Sequence, residues 1–167
     1  RLKEEAKGWK SGKQEAKSAG KKIIESKIIV DSVYTSLLKR ATHTSNIVAK
    51  YINFNLEHIQ YDWRLNERHY GQLTGLNKIE MERKHGTLTV EKWRKSYNYK
   101  PDPIVESNTN WNGLDQRYAD LEKNLIPKSE SLRETLFRVK EYWDTEILRD
   151  LKLGKRIIIS AHGNSIR

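Results

Sequence analysis

The sequence contains no cysteine, only three prolines and no long hydrophobic run. The absence of cysteine excludes a disulfide framework and a thiolate zinc site. No apolar segment approaches the roughly 20 residues that a membrane-spanning helix needs, and residues 1–22 are too heavily charged for a secretory signal. We therefore expect a cytoplasmic protein, and a chain of 167 residues is the size of one domain.

The charge is strongly unbalanced, since 32 Lys and Arg face 22 Asp and Glu and give a formal net charge of +10. A basic protein can bind nucleic acid, an anionic membrane or small polyanions. A solvated, lysine-rich surface explains the same charge equally well. Composition leaves these alternatives open, so the motifs have to decide between them.

The hydrophobic pattern alternates between helical and strand periods, which predicts an α/β fold with a largely parallel sheet flanked by helices. The predicted helices cover 13–26, 37–52, 77–84, 90–96 and 129–151, and the predicted strands cover 33–36, 59–63 and 156–160. Ser131 with Glu134 forms a capping-box pattern within the last helix, and Gly154 ends it. The strand over 156–160 is the most continuously apolar, so we expect it to be buried.

The first candidate site lies immediately after this strand, in Ala161-His162-Gly163-Asn164-Ser165. Ligands of open α/β sheets bind beyond the carboxyl ends of the strands. A glycine after the histidine lets an anion approach, and the N–H groups of the following helix point to the same place. The histidine could instead cap that helix, and this motif alone does not separate the two interpretations.

The second candidate site is the polar segment over 64–71. Its carboxylate, Glu67, is flanked by Arg68 and Tyr70. A carboxylate flanked by an arginine and a tyrosine can act as a general acid/base near a bound anion. An ordinary loop with salt bridges is the alternative interpretation.

Two further motifs supply cations. Arg40 lies near the start of a helix beyond the end of a predicted strand, and its planar guanidinium suits bidentate binding of a phosphate. Arg94 and Lys95 stand between Trp93 and Tyr97. As an isolated motif, this last pair would more often be a solvated helix face.

Taken in order, these motifs resemble the cofactor-dependent phosphoglycerate mutases of the histidine phosphatase superfamily. The segments that carry the resemblance are Leu65-Asn66-Glu67-Arg68-His69-Tyr70-Gly71, Gly75-Leu76-Asn77-Lys78, Trp93-Arg94-Lys95-Ser96-Tyr97 and Ala161-His162-Gly163-Asn164-Ser165. The resemblance extends over about 12–167. It implies the three-layer fold of that superfamily, here incomplete, and a single mutase-like domain over 1–167.

The resemblance also implies a role for individual residues. Glu67 is the expected general acid/base, and His162 is the expected second active-site histidine, which stabilises charge on the phosphoryl group during transfer. The expected contacts to phosphate or carboxylate are Arg40, Arg68, His69, Tyr70, Lys78, Arg94, Lys95, Gly163 and Asn164. Lys95 stands where the family commonly has an arginine, so its contact loses the bidentate fork.

The implied activity is the interconversion of 3-phosphoglycerate and 2-phosphoglycerate through a phosphohistidine, a step of glycolysis and gluconeogenesis. The implied cofactor is 2,3-bisphosphoglycerate, which serves as the phosphoryl primer, and no metal is expected. Bisphosphoglycerate synthase or phosphatase activity of the same family stays open. The expected partners are small phosphorylated three-carbon acids rather than nucleic acid or membrane, and a homo-oligomer is possible. Such polyanions would account for part of the positive charge.

The sequence departs from the family at the nucleophile. The family's arginine-histidine-glycine-glutamate segment is not found, and His69 and His85 stand in other contexts. His43 and His58 are expected at the surface. We therefore expect this sequence to be a fragment. If the nucleophile were absent from the gene as well, the product would be a catalytically inactive, ligand-binding pseudoenzyme. The remaining alternative is a non-enzymatic module whose basic helix, over 13–27, contacts nucleic acid or acidic lipid.

Overall fold

The computed structural model describes the backbone of residues 2–166 and the side chains of residues 10–77 and 79–166. The chain divides into two compact units. Unit 1 comprises residues 1–66 and 141–162, and unit 2 comprises residues 67–140 and 163–167. The assignment of a single domain stays a prediction, and the two units are described separately.

Unit 1 contains a three-stranded parallel sheet in the order β2-β1-β3. The strands are β1 (Ser32–Thr35), β2 (Gln60–Tyr61) and β3 (Ile157–Ser160). This parallel sheet with flanking helices confirms the predicted α/β class. Parallel strands end at the same edge of a sheet, so the residues after β1 and after β3 emerge side by side.

The expectation that the strand over 156–160 is the buried one is wrong. Every residue of β1 is buried, whereas the residues of β3 are only half-buried. The reason is topological, because β1 has a strand on each side and β3 pairs only with β1 among the described strands. An apolar run indicates that a strand tends to be buried, but the position of the strand in the sheet decides how many neighbouring elements shield it from solvent.

Two helices of unit 1 pack closely against each other, α1 (Leu2–Glu25) and α2 (Lys39–Tyr51). A Cβ atom built on Gly20 would lie 2.6 Å from the Cβ of Tyr51, so this contact depends on glycine. The α1 helix begins well before residue 13, where the pattern predicted its start. The α2 helix begins two residues later than predicted, because Leu38 has an extended backbone and occupies the N-cap.

The helix predicted over 129–151 is interrupted. It consists of α5 (Leu132–Tyr142), a π-helical turn (Trp143–Ile147) and α6 (Leu148–Lys152). The predicted capping box is confirmed, since the Ser131 N–H donates to Glu134 at 2.7 Å and the Glu134 N–H donates to the Ser131 hydroxyl at 3.2 Å. Gly154 ends the helix as predicted, with a φ of +74°.

Unit 2 contains α3 (Lys78–His85) and α4 (Thr87–Lys95), and α7 (Gly163–Ile166) follows β3 along the chain. Asn77 caps α3 through a reciprocal capping box with Glu80. Between α4 and α5 the chain forms short 3₁₀ turns over a core that includes Ile104, Trp111 and Tyr118. No helix of the described residues is both long enough and apolar enough to cross a bilayer.

Candidate active site

In unit 1, His162 lies beside Ser36 and Arg40. The His162 imidazole is buried, and its Nε2 is 2.8 Å from the Ser36 hydroxyl. Its Nδ1 is 3.5 Å from a guanidinium nitrogen of Arg40. The strand register explains this meeting, because Thr35 of β1 pairs with Ser160 of β3 and the two chains leave the sheet together.

Both ring nitrogens of His162 have a polar neighbour. The hydroxyl of Ser36, which also accepts the backbone N–H of Leu38 at 3.1 Å, lies at Nε2. The guanidinium of Arg40, which can only donate hydrogen bonds, lies at Nδ1. The imidazole therefore stands next to an exposed cation, at the carboxyl edge of the sheet.

In unit 2, a pocket of about 480 Å³ collects several of the predicted residues. Its lining includes Glu67, Tyr70, Arg94, Lys95, Gly163 and Asn164, all of which the sequence predicted, together with Glu82, Val90 and Glu91. The lining therefore carries three carboxylates beside two cations. No three of the His, Asp and Glu side chains within the described ranges are arranged to hold a metal ion.

Hydrogen bonds hold several of the polar groups of this pocket. One oxygen of the Glu67 carboxylate accepts the backbone N–H of Arg68 at 2.9 Å. The Asn164 amide donates to the Tyr70 hydroxyl at 2.9 Å. Lys95 pairs with Glu91 at 3.0 Å, but both side chains are solvent-exposed and such a pair contributes only about 0.3–0.5 kcal/mol. An incoming anion can therefore displace Glu91 from Lys95 at little cost.

Arg68 and His69 lie in the interior of unit 2. The Arg68 guanidinium donates to the carbonyl oxygens of Glu130 at 2.7 Å and Trp93 at 2.5 Å, and burial lowers its pKa. The His69 Nδ1 accepts the N–H of Gly71 at 3.0 Å, and burial lowers the His69 pKa as well. These contacts favour structural roles, and binding of phosphate by either residue stays a prediction.

The remaining predictions fall on Lys78, His43 and His58. Lys78 is the first residue of α3, but its side chain lies outside the described residues. His43 and His58 are exposed, which confirms their expected surface positions.

Sequence reasoning missed Ser36, Glu130 and Arg138 as parts of the site. Ser36 carried a usable signal, because it is a hydroxyl residue directly after a strand. Glu130 and Arg138 carried none, because charged residues just before a helix or within it are normally solvated.

Comparison with known proteins assigns this chain to a superfamily. The profile of the histidine phosphatase superfamily (branch 1) matches residues 10–113, so the chain belongs to that superfamily. The chain is also 40% identical, over 156 residues, to the 2,3-bisphosphoglycerate-dependent phosphoglycerate mutase of Arthrobacter sp. (strain FB24). That match covers 93% of this chain and 62% of the relative.

Solved structures show the same fold. The native mycobacterial glucosyl-3-phosphoglycerate phosphatase matches with a TM-score of 0.60 at 18% identity, over 92% of this chain and 62% of that one. A protein described as mycobacterial hydrolase 1 matches with a TM-score of 0.65 at 16% identity, over 92% of this chain and 60% of that one. At these identities the likeness shows the fold alone, and it confirms the predicted fold class.

Proposed function

We propose that the complete protein is a 2,3-bisphosphoglycerate-dependent phosphoglycerate mutase that interconverts 3-phosphoglycerate and 2-phosphoglycerate. The observation that carries the proposal is the pocket of unit 2, where the candidate acid/base Glu67 shares one cavity with Arg94 and Lys95. The similarity to a curated mutase over most of this chain supports the same reaction. The proposed reaction would belong to glycolysis and take place in the cytoplasm.

The pocket has the size and the donors that a small phosphorylated acid requires. A three-carbon acid fits within about 480 Å³, and its phosphate and carboxylate can meet Arg94, Lys95 and the Tyr70 hydroxyl. Charged hydrogen bonds of this kind contribute about 1.5–3 kcal/mol each. The carboxylates of Glu82 and Glu91 repel an anion placed beside them, so the bound anion should lie closer to Arg94 and Lys95.

The roles proposed for Glu67 and His162 follow from their surroundings. Glu67 reaches the pocket while one of its oxygens is held by the Arg68 N–H, so it can exchange a proton with a substrate hydroxyl from a fixed position. His162 can donate a hydrogen bond from its ring and lies beside the cation of Arg40, and this pairing suits the stabilisation of negative charge on a phosphoryl group in transfer.

The cofactor fits the same donor set. The pocket's cations and hydroxyl are the groups that would hold 2,3-bisphosphoglycerate. When bound, this molecule supplies the phosphoryl group that primes the family's nucleophilic histidine. The segment that carries that histidine in the family is not found in this sequence, and the chain spans about 62% of the length of its curated relative.

The test is a turnover assay on the product of the complete gene. Conversion of 3-phosphoglycerate to 2-phosphoglycerate would be followed by coupling to enolase, with and without 2,3-bisphosphoglycerate, while phosphate release is measured in parallel. We expect primer-dependent isomerisation with little phosphate release. Dominant phosphate release or formation of bisphosphoglycerate would contradict the mutase and establish the sister activity.

The non-catalytic alternatives give different outcomes in the same preparation. Saturable binding of 2,3-bisphosphoglycerate without turnover would identify a pseudoenzyme. A module that binds nucleic acid through α1 would show polyanion affinity that falls steeply with salt. The homo-oligomer stays a prediction, which sedimentation of the purified protein would test.

A further inference from the structure

A buried ion pair lies in the interior of unit 2, between Glu130 and Arg138. The side chains are 5% and 8% exposed, respectively. Two parallel contacts join them, since Arg138 Nε is 2.5 Å from Glu130 Oε1 and Arg138 Nη2 is 2.8 Å from Glu130 Oε2. A buried pair of this kind seldom stabilises a fold more than apolar residues of the same volume would. A gain in stability therefore does not explain its presence.

Both members of the pair also bind the backbone of the segment that carries Glu67. Arg138 donates to the Glu67 carbonyl at 3.2 Å, and the Glu130 carboxylate accepts the His69 N–H at 2.9 Å. The backbone N–H of Glu130 donates to the His69 carbonyl at 2.9 Å. The peptide groups on both sides of Arg68 are thus fixed by the same two residues.

Arg68 extends these contacts to the cations of the pocket. Its guanidinium donates to the carbonyl of Glu130 and to the carbonyl of Trp93, the residue before Arg94. The Glu67 segment and the end of α4, which carries Arg94 and Lys95, are therefore joined through one buried side chain. The spacing between the acid/base and the anion-binding groups is set inside unit 2.

We propose that Glu130 and Arg138 are positioning residues, which hold the Glu67 carboxylate in its working place in the pocket. This inference rests on the proposed function, because it assigns Glu67 the proton transfer. The pair touches the backbone of the Glu67 segment and acts through it. A displacement of about 1 Å at a reacting group can cost about 10²-fold in rate.

The first test measures kinetics on the product of the complete gene. We expect Glu130→Gln to lower kcat by about 10- to 100-fold while KM for 3-phosphoglycerate changes less than about threefold. Glu130→Asp, which keeps the charge on a shorter stem, should recover part of kcat.

The matched control for this test is Asp150→Asn. Asp150 is also a buried, hydrogen-bonded acid, but it lies in unit 1 and binds Ser32 and Tyr34. This variant should lose stability without the fall in kcat. An equal fall in kcat for Asp150→Asn and Glu130→Gln would overturn the proposal, since general loosening would then explain both.

The second test does not depend on activity. The backbone N–H of Arg68 donates to Glu67 at 2.9 Å, so this amide should be protected from hydrogen exchange while the Glu67 segment is held in place. We expect this protection in the wild type and its loss in Glu130→Gln. An Arg68 amide that is as well protected in the variant as in the wild type would overturn the proposal.

The double variant Glu130→Leu/Arg138→Met covers the case in which the single variant does not fold. It removes both buried charges together, so folding should survive, while the protection of the Arg68 amide and kcat should still be lost. Wild-type kcat and amide protection in a folded double variant would refute positioning by the pair. If the wild type itself lacked mutase turnover, the proposed function would fail, and the protection of the Arg68 amide would still decide whether the pair holds the Glu67 segment.

Discussion

The buried carboxylate of Asp150 gives the most quantitative prediction for unit 1. One of its oxygens accepts the hydroxyls of Ser32 at 2.6 Å and Tyr34 at 2.8 Å, which ties α6 to the central strand β1. Its other oxygen accepts the Lys155 ammonium at 2.9 Å. The perturbations are Lys155→Met, Asp150→Asn and Asp150→Ala. The first removes the ammonium, the second removes the negative charge, and the third removes the whole acceptor group.

The expected losses in the free energy of unfolding follow from the surroundings of each partner. Lys155 is 41% exposed, so Lys155→Met should cost only about 0.2–1 kcal/mol. Asp150→Asn keeps an oxygen for the two hydroxyls but loses the charge, and should cost about 1–2 kcal/mol. Asp150→Ala leaves the hydroxyls of Ser32 and Tyr34 without this acceptor, and should cost about 2–4 kcal/mol.

The pH dependence has a definite sign. The hydroxyl of Ser32 and the ammonium of Lys155 lower the pKa of Asp150 to about 2, below the value of about 3.9 for an unfolded chain. The contribution of the charge is therefore fully present above about pH 4 and is lost as the pH falls toward 2. Burial, together with the hydrogen bond to Asp150, raises the pKa of Tyr34 to about 12, so Tyr34 stays a donor throughout this range.

The assay is urea unfolding, followed by circular dichroism, of the wild type and the three variants between pH 3 and pH 7. The order of stability loss should be Lys155→Met, then Asp150→Asn, then Asp150→Ala. The difference between the wild type and Asp150→Asn should shrink as the solution is acidified below pH 4. A difference that stayed constant down to pH 3, or grew, would refute the assignment of a low pKa to this carboxylate.

The remaining predictions concern the proposed reaction. In the product of the complete gene, Glu67→Gln should lower turnover by about 10²–10⁴ through loss of proton transfer, and unchanged turnover in the enolase-coupled assay would make Glu67 a structural residue. Arg94→Ala should weaken binding of 2,3-bisphosphoglycerate, measured by calorimetry at fixed salt, by about 1.5–3 kcal/mol. Neutralising the exposed Lys21 and Lys22 together should leave that binding nearly unchanged because solvent and salt screen such charges. If the Lys21/Lys22 variant lost affinity while Arg94→Ala kept it, the polyanion would bind to a surface on α1 instead. The 167-residue chain alone should show no mutase turnover, since covalent transfer needs a group that accepts the phosphoryl, and turnover of about 1–10³ per second would show that another residue serves.

Local signals predicted much of the fold. The capping box at Ser131 and the helix end at Gly154 were confirmed because such signals act within a few residues. Strand positions followed from short β-branched runs, and a parallel sheet followed from their alternation with helices. The interrupted helix after Ser131 was not predictable, because the π-helical turn at Trp143–Ile147 leaves no clear local pattern.

The candidate site was predicted in its composition more than in its geometry. Glu67, Tyr70, Arg94 and Lys95 were singled out by motif, and the structure brings them to one pocket. Glu82 and Glu91 were missed because they look like solvated helix residues. Their carboxylates change the electrostatics of the pocket, which combines both signs of charge.

By itself, the sequence determined the fold class, the superfamily and the segments that carry the chemistry, because these depend on local periodicity and on motifs of adjacent residues. The tertiary structure alone decided that β1 rather than β3 is the buried strand, and that Arg68 lies in the interior with its guanidinium on backbone carbonyls. It also decided that Glu130 and Arg138 hold the Glu67 segment from more than 60 positions away in the chain. Such contacts join residues that no local pattern relates, so only the folded chain specifies which charges face solvent and which are buried.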